Sequence, residues 1–284
     1  MPSAAVEDPR ELQRIARRAV ERAGRHALEA FQNRPRSDVE EKARGDFVTE
    51  IDRQIEAELK GLLLDATPRA GFVGEESERL NPSARVQWVV DPIDGTSNFA
   101  QGLRLFAVSI GALVDQEPVA GACWTPDDGI YDAAHGHGAF LDGRRLVAPA
   151  PPNASARLIA CQWFRAAAED TPPKVQLSNW FAPLIESGAR LRSLGSTVLQ
   201  VLHTAAGRYH ANLQPLGRVW DLAAVAVIAR EAGLNTTTWE GEPLFPGFLD
   251  DAGRLDPGLD RSSVIAADPL HSELLDLLGA AGLG

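Results

Sequence analysis

Residues 88–99 read Trp88-Val89-Val90-Asp91-Pro92-Ile93-Asp94-Gly95-Thr96-Ser97-Asn98-Phe99. The run Val86 to Val90, apolar except for Gln87, predicts a buried strand that stops at Asp91-Pro92. Asp91 and Asp94 then leave the strand end. Pro92 stiffens the turn between them, Gly95 lets the backbone approach another group closely, and Thr96 opens a predicted helix. Carboxylates gathered at a strand end suit a hard divalent cation. Amides at the adjoining helix start suit a phosphate. On local chemistry alone, Asp94-Gly95 is equally an ordinary turn dipeptide and Thr96 an ordinary cap.

Upstream, Asp8-Pro9-Arg10-Glu11 reads as a helix start, with Asp8 as cap and Glu11 completing a capping box. Leu12, Ile15, Ala16, Ala19, Val20, Ala23, Ala27, Leu28 and Phe31 recur at helical spacing on one face. Asn33 to Gly45 reads as a polar loop, and a second helix is expected from about Thr49 to Leu64. Downstream, Phe106–Val114 and Pro118–Trp124 read as a hairpin about Asp115-Gln116-Glu117. Gly129–Ala133 and Gly138–Leu141 extend the meander to the turn at Asp142-Gly143. Pro149, Pro151 and Pro152 mark a boundary, dividing the chain into halves 1–148 and 149–284.

The second half reads as a strand at Arg157–Gln162 and helices at Val175–Glu186, Ser196–Ala206 and Val219–Ala232, the last closed by Gly233. A strand at Val264–Ala267 and a final helix opening at Asp268-Pro269 follow. The fold class is mixed α/β, an α+β architecture in two halves.

With 284 residues, 44% hydrophobic and 24% charged, the chain has the composition of an ordinary globular protein. Its net charge of −11 disfavours broad nucleic-acid binding. Cys123 and Cys161 form no CxxC pair and read as small apolar strand residues in a reducing compartment. Met1-Pro2 is followed by an acidic segment without a signal-peptide core, and no stretch approaches a membrane span, so a cytoplasmic protein is expected. His135 and His137 flank Gly136 in a predicted turn, which argues against a zinc site.

At every fixed position the residues Trp88 to Phe99 resemble the signature W-x-x-D-P-[ILV]-D-G-T-x-N-F of the inositol monophosphatase family. Three further segments agree in order. Asp46-Phe47-Val48-Thr49-Glu50-Ile51-Asp52 resembles the family's D-x-V-T-x-x-D element, Gly74-Glu75-Glu76-Ser77 its G-E-E-S, and Trp220-Asp221-Leu222-Ala223-Ala224 its W-D-x-A-[AG]. Taken alone, Glu75-Glu76 is a solvated pair, Asp52 a helix-surface charge and Trp220-Asp221 a helix start. The resemblance spans roughly Leu12 to Leu278. It implies a layered αβαβα sugar-phosphatase fold. The N-terminal half would carry most metal ligands and the phosphate site, and the C-terminal half Asp221 and the substrate pocket.

The same resemblance implies two or three Mg²⁺ ions, held by Glu75, Asp91, Asp94 and Asp221 and by the backbone carbonyl of Ile93. Thr96 and Asp52 match the family's proton-accepting pair, with the Thr96 hydroxyl donating to Asp52. Glu75 joins them among the catalytic residues. Gly95 and Thr96 amides would hold the phosphate. Asp94, Gly195, Ser196, Thr197, Gln214 and Asp221 would meet the substrate. Thr197 stands where the family usually has alanine, and Gln214 where inositol-preferring members carry glutamate, which turns the reading away from myo-inositol phosphates. Lys42 reads as a solvated lysine at the place of a family loop lysine.

The implied activity is Mg²⁺-dependent hydrolysis of a small hydroxyl-rich phosphate monoester by a homodimer that lithium inhibits. Alternative substrates are histidinol phosphate, fructose 1,6-bisphosphate, adenosine 3′,5′-bisphosphate and NADP. A nucleotide would call for a more basic pocket than Arg192 and Arg218 provide. A non-catalytic role in binding other proteins is the remaining alternative, and the intact carboxylates argue against it. The apolar stretch from Phe106 to Trp124 is the expected dimer contact.

Overall fold

A computed structural model describes residues 7–34, 41–153, 156–162 and 182–280; the side chains of 41–48, Lys42 among them, lie outside the described residues. So does the predicted helix at Val175–Glu186, except that 182–186 are helical.

Helix α1 (Pro9–Gln32) begins where the cap predicts, with Asp8 accepting the Arg10 N–H at 3.2 Å. The capping box does not form, because the Glu11 carboxylate pairs with Arg14 one turn on. Helix α2 (Glu41–Ala66) starts eight residues before the expected Thr49. Glu41, Lys42, Ala43 and Arg44 are strong helix formers, and one interior glycine, Gly45, costs only about 1 kcal/mol.

The first sheet runs β1 (Gly71–Gly74), β2 (Val86–Asp94), β3 (Ala107–Val114), β4 (Glu117–Thr125), β5 (Gly129–Ala134), β6 (Gly138–Leu141) and β7 (Arg144–Leu146), in that spatial order. Only β1 and β2 are parallel. Both predicted hairpin turns bend through left-handed backbone, at Asp115 and Gln116 (φ 49° and 72°) and at Asp142 and Gly143 (φ 47° and 78°). That conformation matches the twist of the flanking strands. Strand β2 does not stop at Asp91. It continues to Asp94, and its register against β3 slips between those two residues. Pro92 cannot donate to a ladder, so the strand yields there without ending.

The second sheet has the order β11 (Asn235–Thr237), β12 (Arg261–Ala266), β10 (Ala211–Gly217), β8 (Leu158–Cys161) and β9 (Arg190–Arg192). Helices α1 and α2 cover one face of the first sheet. Helices α4 (Thr197–Ala205) and α5 (Val219–Glu231) fill the space between the sheets, in a core that joins Val73, Val89 and Tyr131 of the first sheet to Phe248 and Ile265 beyond. Helix α6 (Leu270–Ala280) packs outside the second sheet. The result is the layered mixed α/β fold that the sequence leads one to expect. Strands β3 and β4 are sandwiched between α1 and α5, so most of the apolar residues from Phe106 to Trp124 are buried within the chain, while Asp115 at the turn is exposed. They are not the exposed apolar contact that the sequence suggests, because a central strand covered on both faces looks as apolar in sequence as an interface.

Two glycines set how closely α5 approaches. A Cβ on Gly111 would lie 2.7 Å from Ala223 Cβ, and one on Gly121 would lie 2.6 Å from the Ala224 carbonyl oxygen. Cys123 and Cys161 are free, buried strand residues, as expected. No described helix is long and apolar enough to cross a membrane.

Candidate metal and phosphate site

The signature segment is fixed at both ends. Trp88 is fully buried, and its indole N–H donates to Thr67 Oγ1 at 2.7 Å, tying β2 to the end of α2. Phe99 is buried against Phe31 and Phe106, with ring centroids 5.4 and 5.0 Å away. Full burial of such a side chain stabilises by about 1.5–3 kcal/mol. Between these anchors Gly95 has φ 94°, and a Cβ there would come within 2.7 Å of the Leu105 carbonyl oxygen. The short helix α3 (Thr96–Gln101) begins at this glycine. Asn98 donates to the carbonyls of Leu105 and Leu194, both at 2.7 Å, and so fastens α3 to the segment that precedes α4.

Asp91, Asp94 and Asp221 each bring a carboxylate oxygen within 4.8 Å of the others. Two come from the end of β2. The third comes from the first turn of α5, where Asp221 accepts the Arg218 N–H at 2.9 Å. Asp94 is held from the other half. It accepts the hydroxyl of Ser196 and the amides of Thr197 (3.2 Å) and Val198 (2.9 Å), at the start of α4. Such donors favour a carboxylate.

Burial drives the Asp91 carboxyl well above the usual range, with Glu75, Asp94 and Asp221 adding repulsion. Burial does the same to Asp221, reinforced by Asp94. Asp94 rises only to about 6, because the hydrogen bonds from Ser196, Val198 and Thr197 oppose its burial. Asp52 rises to about 8 through burial and then the charges of Glu76, Glu75 and Glu56. Asp91 Oδ1 and Asp52 Oδ1 are buried with no hydrogen-bond partner. Hard oxygen donors, mutual repulsion and unpartnered carboxylate oxygens together fit a bound divalent cation, which relieves the repulsion and satisfies such oxygens.

The carboxylates face a cavity of about 650 Å³. Of the residues singled out in the sequence, Glu75, Asp91, Ile93, Asp94, Gly95, Thr96, Gly195, Thr197, Gln214 and Asp221 line it. Ser196 does not. It is fully buried, with its hydroxyl donating to Asp94 and accepting from Leu199 N–H, so it is the N-cap of α4. Asp52 is 4% exposed and not part of the lining. The expected hydrogen bond from Thr96 to Asp52 is not formed. Thr96 Oγ1 donates to the Ile93 carbonyl at 2.9 Å instead, the local bond that a threonine three residues past a carbonyl readily makes.

Glu76 and Trp220, neighbours of the expected ligands in their motifs, also line the cavity, as do Gln162, Pro215, Leu216 and Asp260, to which the motifs assign no site role. Arg218 lines it too, and its guanidinium pairs with Asp260 at 2.9 Å. Glu56, 2% exposed one turn after Asp52, was likewise missed. Its spacing of four from Asp52, on the same face as Ile55 and Leu59, was the available signal.

The layered fold and the carboxylate centre are those of a mixed α/β protein with a candidate divalent-cation site. The chain belongs to the inositol monophosphatase family, whose model matches residues 8–279. It is 32% identical over 241 residues to the inositol-1-monophosphatase of Rhizobium meliloti, covering 81% of this chain and 87% of that one. It is 30% identical over 230 residues to the Nus factor SuhB of Vibrio cholerae, covering 80% and 85%. The solved structure of Mycobacterium tuberculosis SuhB superposes with a TM-score of 0.77 at 29% identity, over 98% of this chain and all of that one.

Proposed function

We propose that this protein hydrolyses a small, hydroxyl-rich phosphate monoester with Mg²⁺ as cofactor. The observation that carries the reading is the convergence of Asp91, Asp94 and Asp221 from two distant stretches of chain at one cavity, beside the start of α3. When bound, Mg²⁺ supplies positive charge to the phosphate oxygens and makes water a better nucleophile near neutral pH. Glu75, Asp91, Asp94, Asp221 and the Ile93 carbonyl are the groups to hold two or three such ions. The Gly95 and Thr96 amides, at a helix start where such groups lack intrahelical partners, serve the phosphate. Asp52 is the proton acceptor, reached through the Thr96 hydroxyl once that group turns from Ile93.

The alcohol end favours one phosphate over two. Gln162, Thr197 and Gln214 offer neutral hydrogen-bonding groups there, beside apolar Pro215 and Leu216. Among the described lining residues the one cation is Arg218, already paired with Asp260. A second phosphate finds no unpaired positive partner among them, which ranks a neutral polyol phosphate above fructose 1,6-bisphosphate, adenosine 3′,5′-bisphosphate and NADP. Phosphate release from a panel of monoesters and bisphosphates, with Mg²⁺ and with excess chelator, tests the reading. Turnover that survives chelation removes the metal mechanism, and preference for a bisphosphate removes the substrate class.

Likeness to a Nus factor supports a second reading, action through binding other macromolecules. The complete carboxylate set favours the first. A chain that hydrolyses nothing in the panel while binding Mg²⁺ would leave the second standing.

A further inference from the structure

Glu56 is a buried carboxylate that the hydrolytic reading does not use. It sits on α2, 2% exposed, and its Oε2 accepts the backbone N–H of Glu76 at 2.8 Å. Its carboxylate lies against the bare Cα of Gly74. A Cβ on that glycine would fall 2.3 Å from Glu56 Cδ and Oε2 and 2.6 Å from Oε1. Gly74 ends β1, where it pairs with Val90, the residue before Asp91. The turn that carries Glu75 is therefore held at two points. On one side Gly74 is locked into the sheet beside the aspartates, and on the other the Glu76 amide is held by Glu56. Glu75 stands between them and lines the cavity. A carboxylate is costly to bury unless its hydrogen bonds compensate, and an apolar residue at 56 would avoid that cost while leaving the turn untied.

We propose that Glu56 is a positioning residue, fixing the Gly74-Glu75-Glu76 turn so that Glu75 faces the cavity of the three aspartates, where it would join them in holding Mg²⁺. The inference rests on the metal-dependent reading above. Groups that orient metal ligands from behind typically change metal affinity ten- to a hundredfold when removed.

The test is calorimetric titration of the full chain with Mg²⁺ and no substrate, alongside hydrogen exchange of the Glu76 amide. Glu56→Ala is expected to weaken Mg²⁺ about tenfold and to speed that exchange. Glu56→Gln keeps an acceptor oxygen in place and is expected to stay within about twofold of the wild type in both. Gly74→Ala pushes the carboxylate away without removing it and is expected to follow Glu56→Ala. Because Gly74→Ala and Glu56→Gln keep an intact Glu56 skeleton, they decide the matter even if Glu56→Ala does not fold. Wild-type behaviour of Gly74→Ala and Glu56→Ala, or a Glu56→Gln as impaired as Glu56→Ala, overturns the proposal. A wild type that takes up no Mg²⁺ overturns the metal reading instead, and the exchange rates still show whether Glu56 grips the turn.

Discussion

The carboxylate of Asp94 accepts the backbone N–H of Val198 at 2.9 Å, joining two residues 104 positions apart. The bond makes the start of α4 a support for the end of β2. The central carboxylate of the site is thus oriented by the opposite half of the chain.

Replacing Asp94 by Asn tests that dependence. An amide keeps one acceptor oxygen but turns a donor toward either the Thr197 amide or the Ser196 hydroxyl and Val198 amide, and it weakens cation binding as well. Asp94→Asn is expected to lower kcat/KM by at least about two orders of magnitude. It is also expected to lower Tm, since buried donors are left without an acceptor. Steady-state phosphate release and calorimetry measure both. Loss of activity with an unchanged Tm would show that α4 does not lean on this carboxylate.

Stability should depend on pH without metal and lose that dependence when metal is bound. Asp52 is raised from 3.8 to about 8, and Asp94 from 3.8 to about 6, in the cation-free protein. The folded state keeps these protons after the unfolded chain has released them, so the stability these two groups contribute is fully present below the ordinary carboxylate range and is lost as pH climbs toward 8. In chelator, Tm should therefore decline from about pH 4 to pH 8. Mg²⁺ favours the ionised carboxylates and should remove the decline. At a hundredfold excess over Kd it adds about 2.7 kcal/mol. A Tm that is indifferent to saturating Mg²⁺ at pH 8 contradicts a preformed site.

Gln214 bears on specificity. It lines the cavity, its amide N–H donates to the Leu216 carbonyl at 2.8 Å, and its Oε1 is buried without a partner. Glutamate there offers a charge-assisted acceptor to a ring hydroxyl, but it sets a carboxylate against the Leu216 carbonyl. Gln214→Glu is expected to raise kcat/KM for inositol 1-phosphate about tenfold relative to an aryl phosphate. The lost donor should cost about 1–3 kcal/mol of stability. An unchanged ratio between the two substrates removes Gln214 from the determinants of specificity.

Lithium should inhibit. The ion is close to Mg²⁺ in size with half its charge, and in the family it occupies the metal site beside the leaving group. Asp91, Asp94 and Asp221, which match that site, are intact and clustered. Inhibition that persists at saturating substrate is the expected pattern in steady-state assays. Full activity in high lithium at saturating substrate would show a different second-metal pocket.

A homodimer is the expected assembly by family resemblance, through a surface other than the buried strands β3 and β4. Light scattering at micromolar concentration checks it, and a monomeric mass rejects it.

Much of this was legible in the sequence because the signature is local. Trp88, Asp91, Asp94, Gly95 and Phe99 act within one strand, turn and helix, and their spacing states their geometry. Helical periodicity located α1, and turn residues located both hairpins. What failed was non-local or short. Strands β1, β9, β10 and β11 are stabilised by neighbours that pattern alone does not reveal. The Ser196 hydroxyl caps α4 and donates to Asp94, a contact that spacing does not announce. Glu56 belongs to no motif read in the sequence, and its place shows only in the Glu76 amide N–H that it accepts.

Gly111 and Gly121 admit the backbone of α5 at Ala223 and Ala224, just beyond the turn that bears Asp221. A methyl group at either would lift that helix from the sheet and carry the aspartate with it. A scan for inactivating substitutions should therefore score both glycines alongside the catalytic carboxylates, although neither reaches the cavity. The pattern of intolerant positions would then trace how a helix is seated as much as which atoms touch the substrate.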